Sequence, residues 1–175
     1  NLPTGLYYDY ASIVPALLHP TKNEPRRVLI IGLAGGTIPR QLNALFGNTL
    51  NLEAVEIDPT ATKLAKEYMG LADVPLVIHN ADGRVFLNQT QTKYDFIYVD
   101  AYQNELQIPW TLTTKEFWEL VQGHLTDHGI AAMNIAALGT TKSSLVATIT
   151  NTQSAVFPYV YEAPLANRRN ASHVV

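Results

Sequence analysis

The residues best suited to chemistry in this sequence are three carboxylates and one glycine-rich turn. Glu56, Asp82 and Asp100 each stand at or just after the end of a predicted strand, and the apolar run Arg27-Val-Leu-Ile-Ile-Gly-Leu-Ala-Gly-Gly36 ends in a tight bend. Open parallel sheets bind ligands beyond the carboxyl ends of their strands, so these residues are expected to share one crevice. Gly32, Leu33, Ala34, Gly35 and Gly36 are the expected ligand-facing backbone, because a Cβ at a glycine there would fill ligand space. Glu56 falls about 20 residues past the turn, where an acid of such sheets accepts hydrogen bonds from ribose hydroxyls. Asp58, before Pro59, reads as a helix cap instead. Ile57 and Gly83, the neighbours of Glu56 and Asp82, complete the expected binding set.

The pattern also narrows the ligand. A dinucleotide site usually follows Gly-x-Gly-x-x-Gly and holds a diphosphate on a helix N-terminus. Here the glycine spacing differs, and the first basic residue after the turn is Arg40. An adenosine without phosphates suits the arrangement better. Glu56 would take the ribose diol, Asp82 the adenine amino group, and helix N-terminal amides a carboxylate. S-adenosylmethionine fits that description, and acids beside its sulfonium are electrostatically favourable.

The elements that must position these groups alternate. Apolar residues at Tyr7, Tyr10, Ala11, Val14, Leu17 and Leu18 predict a helix ended by His19-Pro20, within a lead-in spanning residues 1–20. Strands are predicted at Val28–Ile31, Leu52–Ile57, Leu76–His79, Tyr94–Val99, Gly129–Ile135 and Phe157–Tyr161. Helices are predicted at Ile38–Phe46, Thr60–Met69, Asp82–Asn88, Thr113–His124 and Thr141–Thr152, with an irregular stretch over 100–112. This alternation predicts a doubly wound, mostly parallel, three-layer α/β/α sheet built as a single domain over 1–175. Ser172-His-Val-Val175 reads like a strand cut short, and the start at Asn1 suggests a piece of a longer chain.

Composition excludes several classes. The 175 residues are 47% hydrophobic and 15% charged with a net charge of −3, which argues against a nucleic-acid surface. The absence of cysteine removes disulfides, thiolate catalysis and cysteine metal sites. No apolar run approaches the roughly 18 residues of a membrane span. His19, His79, His124, His128 and His173 are scattered, so no metal site is expected. Ser143-Ser144 reads as a helix cap, and Trp110 and Trp118 as packing anchors.

Several segments carry a resemblance. Tyr7-Tyr-Asp-Tyr10, Val14-Pro15, His19-Pro20, Arg27-Val-Leu-Ile-Ile-Gly32, Val55-Glu-Ile-Asp-Pro59, Asp82-Gly83, Tyr94-Asp-Phe-Ile-Tyr-Val-Asp100 and Leu112-Thr-Thr-Lys-Glu-Phe117 are similar, in order and spacing, to the catalytic domain of the spermidine synthase family. The resemblance implies the class I S-adenosylmethionine-dependent methyltransferase fold. It also implies transfer of an alkyl group, aminopropyl or methyl, from S-adenosylmethionine or its decarboxylated form to a small amine acceptor. By position, Glu56 would hold ribose, Asp82 adenine, and Asp100 would be the catalytic base that orients the amine; Tyr7 matches a tyrosine near the acceptor channel. The family's β-hairpin domain would lie before Asn1. A homodimer and a cytoplasmic location are implied, some relatives being fused to membrane-spanning regions.

Two positions depart from that pattern. The aspartate of the family's glycine loop falls at Gly35, and the second acid of its Asp-Ser-x-Asp loop falls at Gln103, leaving Glu105 as the nearest substitute. Asp-Ala-Tyr at Asp100 is closer to the methyltransferase-like branch of the family. Two other readings stand beside this one: a non-catalytic nucleoside-binding module, and a nicotinamide-dependent oxidoreductase.

Overall fold

The computed structural model describes residues 6–18, 24–103, 107–136, 144–164 and 170–174. His19-Pro20, Glu105 and Ser143 therefore lie outside the described residues. Helix α1 (Tyr8–Leu17) precedes a series of strands and helices: β1 (Arg26–Ile31), α2 (Thr37–Phe46), β2 (Leu50–Glu56), α3 (Pro59–Tyr68), β3 (Leu76–Asn80), α4 (Gly83–Gln89) and β4 (Tyr94–Val99). Then follow α5 (Lys115–Gly123), β5 (Leu125–Ala136), α6 (Ser144–Ser154), β6 (Tyr161–Pro164) and β7 (Asn170–Val174). They form one seven-stranded sheet in the order β3-β2-β1-β4-β5-β7-β6.

The five strands β3, β2, β1, β4 and β5 run parallel, as the alternation predicts. Their sequences explain why. Val28, Leu29, Ile30 and Ile31 are all at most 1% exposed, and successive side chains point to opposite faces. Leu29 and Ile31 join Val99, Phe117, Trp118 and Val121 under α5. Val28 and Ile30 join Phe96, Tyr98, Ala11, Val14 and Leu42 under α1 and α2. A strand apolar on both sides needs a helix layer on each, and a helix crossover makes the next strand parallel.

The strand read at Ser172-His-Val-Val175 is present as β7, whereas the sixth predicted strand is displaced. Phe157–Tyr161 is not a strand: Val156 N and Phe157 N close the end of α6 onto Gln153 O, and the Phe157 ring packs edge-on against Trp118. β6 starts at Tyr161, and only residues 165–169 separate it from β7. That link is too short for a crossover, so β6 and β7 pair antiparallel, and β7 pairs antiparallel with β5. Of the two expected packing anchors, Trp118 is fully buried, whereas Trp110 is 75% exposed because it sits in a surface turn. No helix among the described residues is long and apolar enough to cross a membrane.

Register places the site. Ile31 pairs with Val55 on one side and Val99 on the other, so Gly32, Glu56 and Asp100 leave the sheet at one level. The ladder continues one step further, through Gly32 N to Val55 O and Asp100 N to Ile31 O, both 2.8 Å. This closeness dictates the glycine. A Cβ on Gly32, at φ +92°, would lie 2.5 Å from the Asp100 carbonyl oxygen.

Gly32→Ala is therefore expected to lower the unfolding free energy by roughly 3 kcal/mol, since it combines a backbone clash with an unfavourable φ. Gly70→Ala, in the left-handed helical region at φ +69° with open space around it, should cost only about 1 kcal/mol. Urea unfolding of both variants checks this; equal losses would contradict the packing explanation.

Candidate active site at the strand tips

Beyond the carboxyl ends of β1, β2 and β4 lies a cavity of about 460 Å³. It opens between β1 and β4, where the strand order reverses direction, the usual ligand crevice of such sheets. Four carboxylates line it: Glu56, Asp58, Asp82 and Asp100. Among the described residues lining it there is no Lys, Arg or His.

The structure thus brings together Tyr7, Gly32, Leu33, Ala34, Glu56, Ile57, Asp82, Gly83 and Asp100, all expected from sequence. Gly35 and Gly36 are not in the lining. A Cβ on Gly35 would meet Met69 Sδ, and one on Gly36, at φ +72°, would meet Leu71 Cδ1. Those glycines let the turn pack on the segment after α3, and Gly36 opens α2. Gly83 is likewise required by the protein rather than by a ligand, since its Cβ would collide with Ile31.

Glu56 has a structural task of its own. Its Oε2 accepts hydrogen bonds from Leu33 N (2.9 Å) and Ala34 N (3.1 Å), and its Oε1 accepts one from Asp58 N (3.0 Å). Hydrogen bonds to a charged group contribute roughly 1.5–3 kcal/mol each, enough to hold Ala34 in its left-handed conformation at φ 44°. Asp58 caps α3 as expected, accepting from Thr60 N. Asp82 caps α4 through Oδ1, which accepts from Val85 N at 2.9 Å; no described residue bonds its Oδ2.

Asp100 is held from both sides. The Tyr7 hydroxyl donates to Oδ2 (3.1 Å), and Asn134 Nδ2 donates to Oδ1 (2.8 Å). Burial pushes its carboxyl up to about 7, against the opposing pull of these two donors. The Tyr7 phenol is raised well above its ordinary value, first by its own burial and then by the Asp100 charge, so it stays a donor.

Asn134 did not emerge from the sequence reading. It is 1% exposed in the apolar run Ala131-Ala-Met-Asn-Ile135, and a lone polar residue in a buried strand is the signal that identifies it. Tyr102 supports this edge: its hydroxyl donates to Asn134 O (2.7 Å) and accepts from Ala136 N (2.8 Å). Gln103 also lines the cavity, placing a neutral amide where the resemblance puts a second acid.

The raised Asp100 carboxyl makes stability depend on pH with a definite sign. The folded state favours the protonated acid, so this contribution is full below pH about 4 and is lost as pH rises through about 7. Compared with Asp100→Asn, the parent should lose stability between those limits, as read from urea midpoints. Asn134→Ala, which removes a donor to the carboxylate, should move the upper limit higher. A flat difference across the range would show that the carboxyl titrates normally.

Known proteins resemble this chain in sequence and in fold. The family model described as spermine/spermidine synthase domain matches residues 6–169. A probable polyamine aminopropyl transferase of Bifidobacterium longum is 36% identical over 155 residues, covering 88% of this chain and 33% of the relative. The chain thus spans about a third of the length of that curated relative. A spermidine synthase structure in complex with the transition-state analogue AdoDATO superposes with a TM-score of 0.80 at 21% identity, over 98% of this chain and 60% of that one. Human methyltransferase-like protein 13 in complex with SAH superposes with a TM-score of 0.76 at 24% identity, over 95% and 78%. These structures share the class I S-adenosylmethionine-dependent methyltransferase fold with it, and by sequence the chain belongs to the spermine/spermidine synthase family.

Proposed function

We propose that this domain binds decarboxylated S-adenosylmethionine and transfers its aminopropyl group to a small amine. The observation that carries the reading is the cavity lining, with four carboxylates and no cationic side chain among the described residues, Asp100 standing at its edge between Tyr7 and Asn134. Such a lining favours a donor bearing both a sulfonium and an ammonium. It disfavours a dinucleotide, whose diphosphate would meet only like charge.

The donor's carboxyl group decides between the two sulfonium nucleosides. The amides best placed to receive it, Leu33 N and Ala34 N, already donate to Glu56. The decarboxylated donor asks nothing of them. Asp82, with one oxygen left over, would accept from the adenine amino group, and Glu56 Oε1 has room for a ribose hydroxyl beside its bond from Asp58 N.

In the transfer, the acceptor nitrogen's lone pair forms a bond to the carbon attached to sulfur. The carbon–sulfur bond breaks, and its electrons leave on a neutral thioether. The proton lost by the nitrogen passes to the Asp100 carboxylate, whose elevated pKa suits a base working near neutrality. Tyr7 and Asn134 fix the carboxylate so that it faces the nitrogen. Rate then comes largely from alignment, the sulfonium carbon being already activated.

Titration calorimetry with the two sulfonium nucleosides tests the donor assignment. The decarboxylated form is expected to bind at least tenfold more tightly; equal affinity would overturn the preference. Asp100→Asn is expected to reduce turnover of 1,4-diaminobutane by 10²–10⁴-fold, a far larger loss than in donor affinity. Turnover unchanged by that substitution would remove Asp100 from the reaction, and no turnover in the parent with a panel of amines would favour a non-catalytic nucleoside-binding module.

A further inference from the structure

Arg84 belongs to neither the expected site nor the cavity lining, yet it touches both halves of the site's frame. It is the second residue of α4, directly after Asp82 and Gly83, which form the cavity wall assigned above to the nucleoside. Its Nη1 donates to Thr111 O (3.0 Å) and to Thr114 Oγ1 (3.2 Å). Thr111, with Pro109 and Leu112, also lines the cavity. Thr114 Oγ1 also accepts from Phe117 N and so caps α5.

Among its described residues, the loop that Arg84 grips has few other polar ties. Gln103 and Gln107 bond each other, Leu112 N bonds Pro109 O, and both Thr113 N and Thr113 Oγ1 bond Trp110 O. These bonds are internal to the loop, whose described residues are otherwise anchored by the Tyr102 hydroxyl on β5 and by the buried side chains of Ile108 and Leu112. Among the described residues, the hydrogen bond reaching its backbone from another element comes from Arg84. Apolar anchors fix depth but not angle, whereas a guanidinium with two oriented donor bonds fixes angle.

We propose that Arg84 is a positioning residue, setting the part of the cavity wall formed by Pro109, Thr111 and Leu112, which we assign to the acceptor, relative to the donor-binding end of α4. This rests on the aminopropyl-transfer reading. A donor held by Asp82 stiffens the first turn of α4, and Arg84 carries that restraint to the loop without touching either substrate. The acceptor then meets a wall already at the right distance from the reacting carbon.

The test pairs hydrogen exchange with kinetics on Arg84→Met, Arg84→Lys and the parent. In the parent, decarboxylated S-adenosylmethionine should increase amide protection over residues 108–113. In Arg84→Met that increase should vanish while donor affinity stays within twofold, and the KM for 1,4-diaminobutane should rise about tenfold or more. Arg84→Lys, which keeps a donor and the charge, should recover part of both effects. Should Arg84→Met fail to fold, Arg84→Gln, with one donor, takes its place. Donor-induced protection and KM unchanged in the variant would overturn the proposal. So would parallel losses in donor affinity, KM and melting temperature, the mark of a merely structural arginine. A parent that binds no sulfonium donor at all would instead refute the functional reading on which the proposal stands.

Discussion

Site and scaffold alike depend on the level at which three parallel strands end. Because Ile31 is opposite both Val55 and Val99, the next residue of each strand emerges beside the others, and Gly32, Glu56 and Asp100 are neighbours by register. A slip of one residue in β1 would turn its alternate side chains toward the other helix layer and separate these groups. The buried faces that forbid such a slip are therefore what keep the acids together. Packing of Leu29 and Ile31 on one side, and of Val28 and Ile30 on the other, enters the chemistry through this route.

Within that frame, carboxylates serve twice. Glu56 braces the turn after β1, Asp58 and Asp82 cap α3 and α4, and Asp100 organises two neutral donors. Each acid uses part of its hydrogen-bonding capacity on the protein and offers the remainder to a ligand. Preorganisation follows directly, since the charged groups are already fixed before a cation arrives. The concentration of negative charge at a sheet edge would be costly in an empty apolar pocket; here the backbone amides of the turn and helix ends offset much of it.

Local sequence made the parallel strands and the strand-tip acids legible, because apolar runs and cap residues act over a few positions. The start of β6 was not legible in this way: Phe157 is apolar, but it closes a helix rather than opening a strand. The glycines show the same limit. Their presence marked the turn, yet Gly35 and Gly36 answer to Met69 and Leu71, partners more than 30 residues away. Asn134 and Arg84 act on residues about 30 positions distant, and no periodicity reveals such pairings. Trp110 and Trp118 look alike as letters, and only the fold separates a rim from a core.

That separation has a practical consequence. The indole of Trp118 is sealed in the apolar layer beside Phe117 and Phe157, whereas the indole of Trp110 lies in solvent on the loop that walls the cavity. Emission from the first is insulated from events at the mouth; emission from the second is open to soluble quenchers. The protein consequently carries an intrinsic optical gauge of its loop and an internal reference for it, both without added dye.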